Sequence, residues 1–191
     1  MGMKILLKRT GLGLLIGSLS FGAYLGILQL TGNFHEVVTG ELYRSNQPSA
    51  VQIASYAKDY GIRSILNLRG ENSHAAWYGD EIAKAAELGL THVDFRMSAS
   101  RELSVEDMAR LTSLMRDLPK PILVHCQSGS DRTGLVSAIY LNQITGIDEE
   151  DAEKQLSIRY GHIGIPYLSA AYPMDESWEK LEANLARTAG G

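Results

Sequence analysis

Short apolar stretches alternate along the chain with longer stretches whose apolar residues recur at helical spacing. The short stretches predict strands at 40–44, 63–68, 91–96 and 121–124. The longer stretches predict helices at 49–60, 77–88, 104–118, 133–145 and 175–185, with a further helix starting at Asp148. Strands that alternate with helices indicate an α/β fold, in which helices flank a small, central, mostly parallel sheet.

The amino-terminal part of the chain follows a different pattern. Residues 10–31 carry no charge and are rich in Leu, Ile, Gly and aromatic residues, and they are preceded by Lys4, Lys8 and Arg9. About 20 helical residues rise about 30 Å, which is enough to cross the hydrocarbon core of a membrane. We therefore predict a basic segment at 1–9 and a transmembrane anchor at 10–31.

The side of the membrane follows from the basic residues. Positive charge before an apolar span keeps the amino terminus in the cytoplasm, so the domain formed by 32–191 is expected outside, in the periplasm if the organism is bacterial. The alternative is a cleaved signal peptide, which would make the protein secreted. The length of the apolar stretch and the lack of a clear A-x-A cleavage site after it favour the anchor.

Composition narrows the range of partners. After the apolar segment 160 residues follow, which is a usual size for one domain. The chain has 18 basic and 22 acidic residues, and without the three basic residues before the anchor, 15 against 22 leave a net charge of −7. Such an acidic domain is a poor nucleic-acid binder. A single cysteine excludes an internal disulfide and any multi-cysteine metal site, and we expect no metal ion or cofactor.

The single cysteine lies in the segment HCQSGSDRTG, which covers 125–134 and joins a predicted strand to a predicted helix. Cys126 stands six positions before Arg132, and one tight turn of this length can hold a thiolate nucleophile beside a guanidinium that grips two phosphate oxygens. Backbone N–H groups between a strand and a helix point to a common centre and favour an anion there. The residues expected to bind the phosphate in this way are Gln127, Ser128, Gly129 and Ser130, together with Arg132.

The same residues suggest a reaction. A phosphate ester bound in this loop would be cleaved through a phosphocysteine on Cys126. Gly129 permits the backbone torsions that a nest of amides requires. Thr133 could donate its hydroxyl to the sulfur and stabilise it as a leaving group when the intermediate breaks down. The alternative is a buried structural cysteine beside a surface arginine, which the flanking residues make the weaker interpretation.

HCQSGSDRTG resembles the signature loop of the cysteine-dependent protein-tyrosine and dual-specificity phosphatases, His-Cys-x5-Arg-Ser/Thr. The wider stretch 42–161 resembles the compact atypical dual-specificity phosphatases of bacteria, plants and fungi in its segments LYRSNQP, GIRSILNLRGE, FRMSASRELS and PILVHC. The resemblance implies a dual-specificity phosphatase fold. It also implies that Cys126 is the nucleophile, that Arg132 binds phosphate and stabilises the transition state, and that Thr133 assists the thiolate.

The general acid is harder to assign. In the dual-specificity phosphatases it usually lies on a loop some thirty residues before the cysteine, but the corresponding residues here, 97–103, contain no Asp. Our preferred acid is Asp131, because an Asp just before the signature Arg also occurs in the myotubularin-like and Sac-like lipid phosphatases, where it is a proposed acid. The alternative is that Asp131 only stabilises the loop, and Glu102 is the second candidate acid.

The substrate is the least defined part of the predicted function. The loop carries no lysine at Gln127, Ser130 or Asp131, which favours a phosphorylated protein, in particular phosphotyrosine, or another small phosphoester over a highly charged substrate. Arg69 and Arg101 could contact a second anionic group, although a surface salt bridge is the alternative for each. The resemblance also keeps open an inositol phosphate or phosphoinositide phosphatase. A non-catalytic phosphate-binding module is a hypothesis of a different class.

Overall fold

The computed structural model describes residues 2–189, with side chains for 12–187. Its centre is a five-stranded sheet in the order β1-β2-β5-β3-β4, in which only β1 runs antiparallel to its neighbour. The strands are β1 (His35–Val38), β2 (Leu42–Ser45), β3 (Ser64–Asn67), β4 (Thr91–Asp94) and β5 (Ile122–His125). The predicted α/β fold with a mostly parallel central sheet is therefore confirmed.

Strand β1 is the element that the sequence pattern missed. Its four residues, His-Glu-Val-Val, are too few to show an alternation of apolar and polar positions. It pairs with β2 at the edge of the sheet, and its register shifts between Glu36 and Val38. The four predicted strands are all present, each with ends shifted by one or two residues.

Helices cover both faces of the sheet. They are α1 (Gly2–Leu30), α2 (Ala50–Tyr60), α3 (Ala76–Glu87), α4 (Val105–Asp117), α5 (Asp131–Gln143), α6 (Glu149–Glu153) and α7 (Pro173–Ala189), with a 3-10 turn at Ile158–Tyr160. Helix α2 begins where predicted because Ser49 and Gln52 form a reciprocal capping box, and it ends at Gly61, which has φ 69°. Helix α5 begins at Asp131, two residues before its predicted start, so Asp131 and Arg132 lie in its first turn.

The main core lies between the sheet and helices α4, α5 and α7. Ile122 and Val124 of β5 point into it, whereas Leu123 points to the other face, as the alternation along a strand requires. Residues Thr133–Tyr140 of α5 are all buried. A central strand and a fully packed helix therefore hold the loop between them, 126–130, at the carboxyl edge of the sheet.

Helix α1 has the properties of a possible membrane span. Its stretch Leu12–Leu30 has a mean hydropathy of 1.6 and is 6% buried, so it is long and apolar enough to cross a membrane. Its last turns contact the domain, where Tyr24 donates a hydrogen bond to the Arg159 carbonyl at 2.6 Å and Leu28 is buried. The backbone is helical from Gly2 onward, while the basic side chains of segment 1–9 lie outside the described side chains.

Candidate active site

The cysteine lies at the bottom of the loop that joins β5 to α5. Cys126 is 1% exposed, and its Sγ accepts a hydrogen bond from the backbone N–H of Gly129 at 3.3 Å. Gly129 has φ 74°, and a Cβ on it would lie 2.7 Å from the carbonyl of Ser45 and the amide of Asn46. Only glycine can therefore take this place, which brings an N–H group to the sulfur.

A buried arginine fixes the second half of the loop. Arg44 is fully buried, and its Nη2 donates to the carbonyls of Gly129 at 2.7 Å and Ser130 at 3.3 Å. Its Nη1 donates to Gln155, and its guanidinium lies 3.8 Å from the ring centre of Tyr160. Burial lowers the pKa of Arg44 to about 10, so Arg44 is charged at neutral pH and can hold both carbonyls.

Other polar groups fix the first half. The Gln127 carbonyl accepts a hydrogen bond from the backbone N–H of Gln47 at 3.2 Å. The Ser128 carbonyl accepts from Asn33 Nδ2 at 3.0 Å and from Gln29 Nε2 at 3.1 Å. All four carbonyls from 127 to 130 are thus hydrogen-bonded to groups outside the loop. In a planar trans peptide the N–H lies opposite the carbonyl, so the N–H side of the loop is left for an anion beside Cys126.

The other predicted residues of the loop lie at its helical end. Arg132 is half-buried, and its Nη1 is within 3.3 and 3.4 Å of the carbonyls of Met97 and Leu68. These contacts hold the guanidinium against the segments that follow β3 and β4. Thr133 is buried, and its hydroxyl has no hydrogen-bond partner among the described residues, which leaves it available to the sulfur.

An open cleft of about 830 Å³ leads to this loop. It is lined by residues from the ends of β3 and β4, the following loops and the start of α5, among them Arg69, Arg96, Arg101, Glu102, Asp131 and Arg132. Arg69 donates to Gln47 and stacks on Trp77 with 3.7 Å between its guanidinium carbon and the ring centre. Burial and the neighbouring charge of Arg132 both lower the pKa of Arg69. Glu102 faces the cleft and forms an ion pair with Lys180.

Asp131 has partners that the sequence did not indicate. Its Oδ1 lies 2.8 Å from Nδ1 of His162, and Nε2 of His162 lies 3.0 and 3.2 Å from the two carboxylate oxygens of Asp175. Burial alone would lower the pKa of His162, but hydrogen bonds from the ring to both carboxylates, and their charges, outweigh it and raise the pKa to about 9. We call Asp131, His162 and Asp175 the His162 cluster.

A second buried group lies behind the loop. Glu81 of α3 accepts hydrogen bonds from Nε2 of His92 at 2.7 Å, from Nε2 of His125 at 3.1 Å and from Gln47 at 2.6 Å. Burial alone would raise the pKa of Glu81, but these bonds and the charge of His125 lower it to about 2. We call Glu81, His92, His125 and Gln47 the Glu81 cluster. In the part of the chain that the structure describes, no group of three or more His, Cys, Asp or Glu is placed to hold a metal ion.

Comparison with known sequences gives a consistent result. The tyrosine phosphatase family matches this chain over residues 25–155. The dual specificity protein phosphatase TpbA of Pseudomonas aeruginosa is 30% identical over 115 residues, which make up 60% of this chain and 49% of that protein. The chain therefore spans about half the length of the relatives that it matches.

Solved structures share the fold. The crystal structure of P. aeruginosa TpbA superposes with a TM-score of 0.60 at 21% identity, covering 83% of this chain and 91% of that one. A structure of a TpbA variant in complex with pTyr gives 0.60 at 20% identity, with 83% and 90% covered. The catalytic core of the PP-IP phosphatase SIW14 from S. cerevisiae gives 0.58 at 19% identity, with 81% and 93% covered.

Proposed function

Because the chain belongs to the tyrosine phosphatase family, we propose that it is a phosphoric monoester hydrolase that acts through a phosphocysteine on Cys126. One observation carries this proposal: all four carbonyls of residues 127–130 accept hydrogen bonds from groups outside the loop, while the Gly129 N–H donates to the sulfur. Such a loop stabilises both a thiolate and the oxygens of a phosphoryl group.

Each residue then has a defined task. Cys126 attacks phosphorus, and the S–P bond forms while the bond to the leaving oxygen breaks. Arg132 binds two equatorial oxygens with its planar fork, and the loop N–H groups bind the third. Asp131 protonates the leaving oxygen. Water then hydrolyses the phosphocysteine, and the Thr133 hydroxyl stabilises the departing thiolate.

The substrate class that fits best is a phosphorylated protein, with phosphotyrosine as the first choice. The loop residues 127–131 contain no basic side chain and one carboxylate, so the potential around the phosphate is lower than a highly charged substrate requires. The complex of TpbA with pTyr supports the same choice for this chain, and so does the wide cleft of about 830 Å³.

The test is hydrolysis of a substrate panel by the wild type and by Cys126→Ser. The panel contains an activated aryl phosphate, phosphotyrosine and phosphoserine peptides, and inositol phosphates. We expect Cys126→Ser to abolish hydrolysis of every member while it still binds vanadate. Activity that survives in this variant would contradict the phosphocysteine mechanism, and a wild type that binds phosphate without any turnover would instead indicate a non-catalytic binding module.

An inositol phosphate or phosphoinositide is the second candidate substrate, because the cleft places several arginines near one another. Arg69, Arg96 and Arg101 line it together with Arg132, and their charges could bind phosphates other than the one being cleaved. A kcat/KM for an inositol phosphate that exceeds that for the phosphotyrosine peptide would favour this candidate. In that case Arg69→Gln should raise the KM for the inositol phosphate selectively.

We also propose that α1 is an uncleaved membrane anchor with the catalytic domain outside the cytoplasm. The hydrogen bonds from Gln29 to the Ser128 carbonyl at 3.1 Å and from Tyr24 to the Arg159 carbonyl at 2.6 Å support retention of the helix, because cleavage after it would remove contacts to the catalytic loop. Washing membranes with alkaline carbonate should leave the full-length protein in the pellet. Protease added on the non-cytoplasmic side of the membrane should digest the domain, and protection of the domain would reverse the proposed topology.

A further inference from the structure

We propose that His162 and Asp175 are positioning residues that supply Asp131 with the proton it gives to the leaving oxygen, and that take a proton back when the phosphocysteine is hydrolysed. The proposal rests on the proposed phosphatase function and adds two residues to it. Its basis is the geometry of the His162 cluster and the place of Asp131 at the start of α5.

Asp131 lies beside groups that attract negative charge. It is the first residue of α5, where the positive end of the helix dipole favours a charged carboxylate. Arg132 follows it directly, and the buried charge of Arg44 interacts with it as well. An ionised carboxylate accepts hydrogen bonds but has no proton to give. A general acid at this position therefore needs a neighbour that carries the proton.

His162 is such a neighbour. Its side chain is 2% exposed, Nδ1 lies 2.8 Å from Asp131, and Nε2 lies 3.0 Å from the nearer oxygen of Asp175. Because a carboxylate only accepts hydrogen bonds, both ring nitrogens carry a proton when both carboxylates are ionised. The ring is then an imidazolium whose Nδ1 proton already points at Asp131. Its other proton, on Nε2, is held in the hydrogen bond to Asp175.

The surrounding chain is shaped to hold this ring. Gly161 ends the 3-10 turn with φ 84°, and the His162 amide donates to the Ser157 carbonyl at 3.1 Å. A side chain on Gly164 would clash with the carboxylate of Asp175. Asp175 lies in the first turn of α7, as Asp131 does in α5. These contacts fix the ring between α5 and α7, the two elements that supply its carboxylates.

Few other charged groups face the cluster. The charge of Arg44 on β2 interacts with Asp131, and Tyr172 interacts with Asp175 at the start of α7. The side chains of Asp131 and Asp175 are 25% and 20% exposed. Asp131 lines the cleft beside Arg132, so the cluster reaches the substrate only through Asp131.

The proton balance closes over one turnover. In the first step the Cys126–phosphorus bond forms and the ester P–O bond breaks. Asp131 protonates the leaving oxygen as the Nδ1 proton of His162 moves to Asp131, which leaves a neutral imidazole and an ionised carboxylate. In the second step water attacks phosphorus, the P–S bond breaks and the thiolate returns. Asp131 takes the proton of that water and passes it back to Nδ1.

The first test compares leaving groups in His162→Asn. A phosphoserine peptide leaves as an alkoxide and needs the proton, whereas an activated aryl phosphate does not. We expect kcat/KM to fall about 100-fold for the phosphoserine peptide and less than about threefold for the aryl phosphate, within the range for loss of general-acid catalysis. His74→Asn, which changes an exposed histidine, is the matched control and should leave both values unchanged. Equal losses on both substrates would contradict the proposal.

The second test asks whether His162 acts through Asp131. If it does, the double variant Asp131→Asn/His162→Asn should match Asp131→Asn within about twofold on the phosphoserine peptide, because the second change removes nothing further. Multiplicative losses would contradict the proposal. Activity that survives Cys126→Ser would contradict the proposed function itself, whereas equal losses on both substrates with Cys126 essential would contradict only the role of His162.

The third test is the pH profile, and it uses Asp175→Asn, which keeps the size of the side chain. The wild-type kcat/KM for the phosphoserine peptide should fall at high pH with a midpoint near the His162 pKa of about 9. With one carboxylate removed, this midpoint should move towards neutral by about one pH unit. An unchanged midpoint in a folded variant would contradict the proposal, since a purely structural role for Asp175 would not move it.

Discussion

The two histidine–carboxylate clusters beside the catalytic loop contain the same kinds of side chain in opposite proportions. The Glu81 cluster surrounds one carboxylate with two histidines and an amide, whereas the His162 cluster holds one histidine between two carboxylates. The first fixes the pKa of a carboxylate at about 2, and the second raises the pKa of an imidazole to about 9. At neutral pH and before any substrate reacts, one cluster therefore contains an ionised carboxylate and the other an imidazolium.

Access to the cleft separates their tasks. The side chains of Glu81 and His125 are 0% exposed, and neither lines the cleft. The Glu81 cluster therefore fixes His125, the residue before Cys126, and cannot exchange a proton with a substrate. The His162 cluster opens to the cleft through Asp131, which is 25% exposed. Histidines and carboxylates thus fix the loop where neither solvent nor substrate reaches them, and they supply a proton where one of them, Asp131, lines the cleft.

The largest effect should come from removing the Glu81 carboxylate, which fixes His125 behind the loop. Glu81→Ala leaves the buried His125 and the half-buried His92 and Gln47 without their shared acceptor, so we expect the free energy of unfolding at pH 7 to fall by about 3 to 5 kcal/mol. Urea unfolding measures this loss. The matched control is Glu87→Ala on the same helix, which removes an exposed pair with Lys84 and should cost less than about 1 kcal/mol. A comparable cost for the two changes would contradict the brace.

The two clusters should also give stability opposite pH dependences. The folded-state pKa of Glu81 is lowered from 4.5 to about 2, so its contribution is complete above pH 4.5 and is lost as the pH falls towards 2. The folded-state pKa of His162 is raised from 6.5 to about 9, so its contribution is complete below pH 6.5 and is lost as the pH rises through 9. Each loss should be on the order of 3 kcal/mol.

Two isosteric variants separate the loss of stability at low pH, the acid limb, from the loss at high pH, the alkaline limb. Glu81→Gln should flatten the loss of unfolding free energy between pH 4.5 and 2 and leave the alkaline limb intact. Asp175→Asn should reduce the loss between pH 6.5 and 9 by about 1.4 kcal/mol, because Asp131 still contacts His162, and should leave the acid limb intact. If either variant changed both limbs equally, the clusters would not be independent, and the distinction between brace and proton source would fail.

The sequence could predict where the loop around Cys126 lies in the fold because its signal is local. Cys126, Gly129 and Arg132 lie within seven residues, and a strand and a helix flank them, so their meeting requires no distant contact. The arrangement around Asp131 has no such signal. His162 follows Asp131 by 31 residues and Asp175 follows His162 by 13, and only the packing of α7 beside α5 brings them together. The only local signal near this histidine is the pair of glycines at 161 and 164, which indicates a tight turn around His162.

The Glu81 cluster was hidden for the same reason. Glu81 lies in the middle of α3, where a charged residue normally indicates the solvent face. Its partner His125 is 44 residues away on β5, and His125 could be expected only to brace the loop, without a known acceptor. Strand β1 escaped prediction because four residues at a sheet edge are too short to show periodicity. The elements follow from local pattern, whereas the polar groups around the site depend on tertiary packing.

A smaller effect should come from changing Arg44, which fixes the loop through hydrogen bonds to carbonyl and amide oxygens that do not titrate. Arg44→Lys replaces a planar fork that reaches Gly129, Ser130 and Gln155 with a single ammonium that cannot bridge all three. We expect vanadate binding to weaken about tenfold, with no change in the preference between alkyl and aryl substrates. Arg63→Lys, at an exposed arginine, is the control. An altered leaving-group preference would show that Arg44 acts on Asp131 rather than on the loop carbonyls.

The smallest expected effect tests whether the cleft contains a different acid. Glu102 is the other carboxylate that the sequence offered, but its side chain is 43% exposed and pairs with Lys180, which is equally exposed. An ion pair on the surface contributes little, so Glu102→Gln should change kcat/KM by less than about twofold on both the phosphoserine peptide and the aryl phosphate. A large loss confined to the phosphoserine peptide would transfer the acid role to Glu102. The His162 cluster would then be a second brace, and both clusters would serve only to fix the loop that carries Cys126.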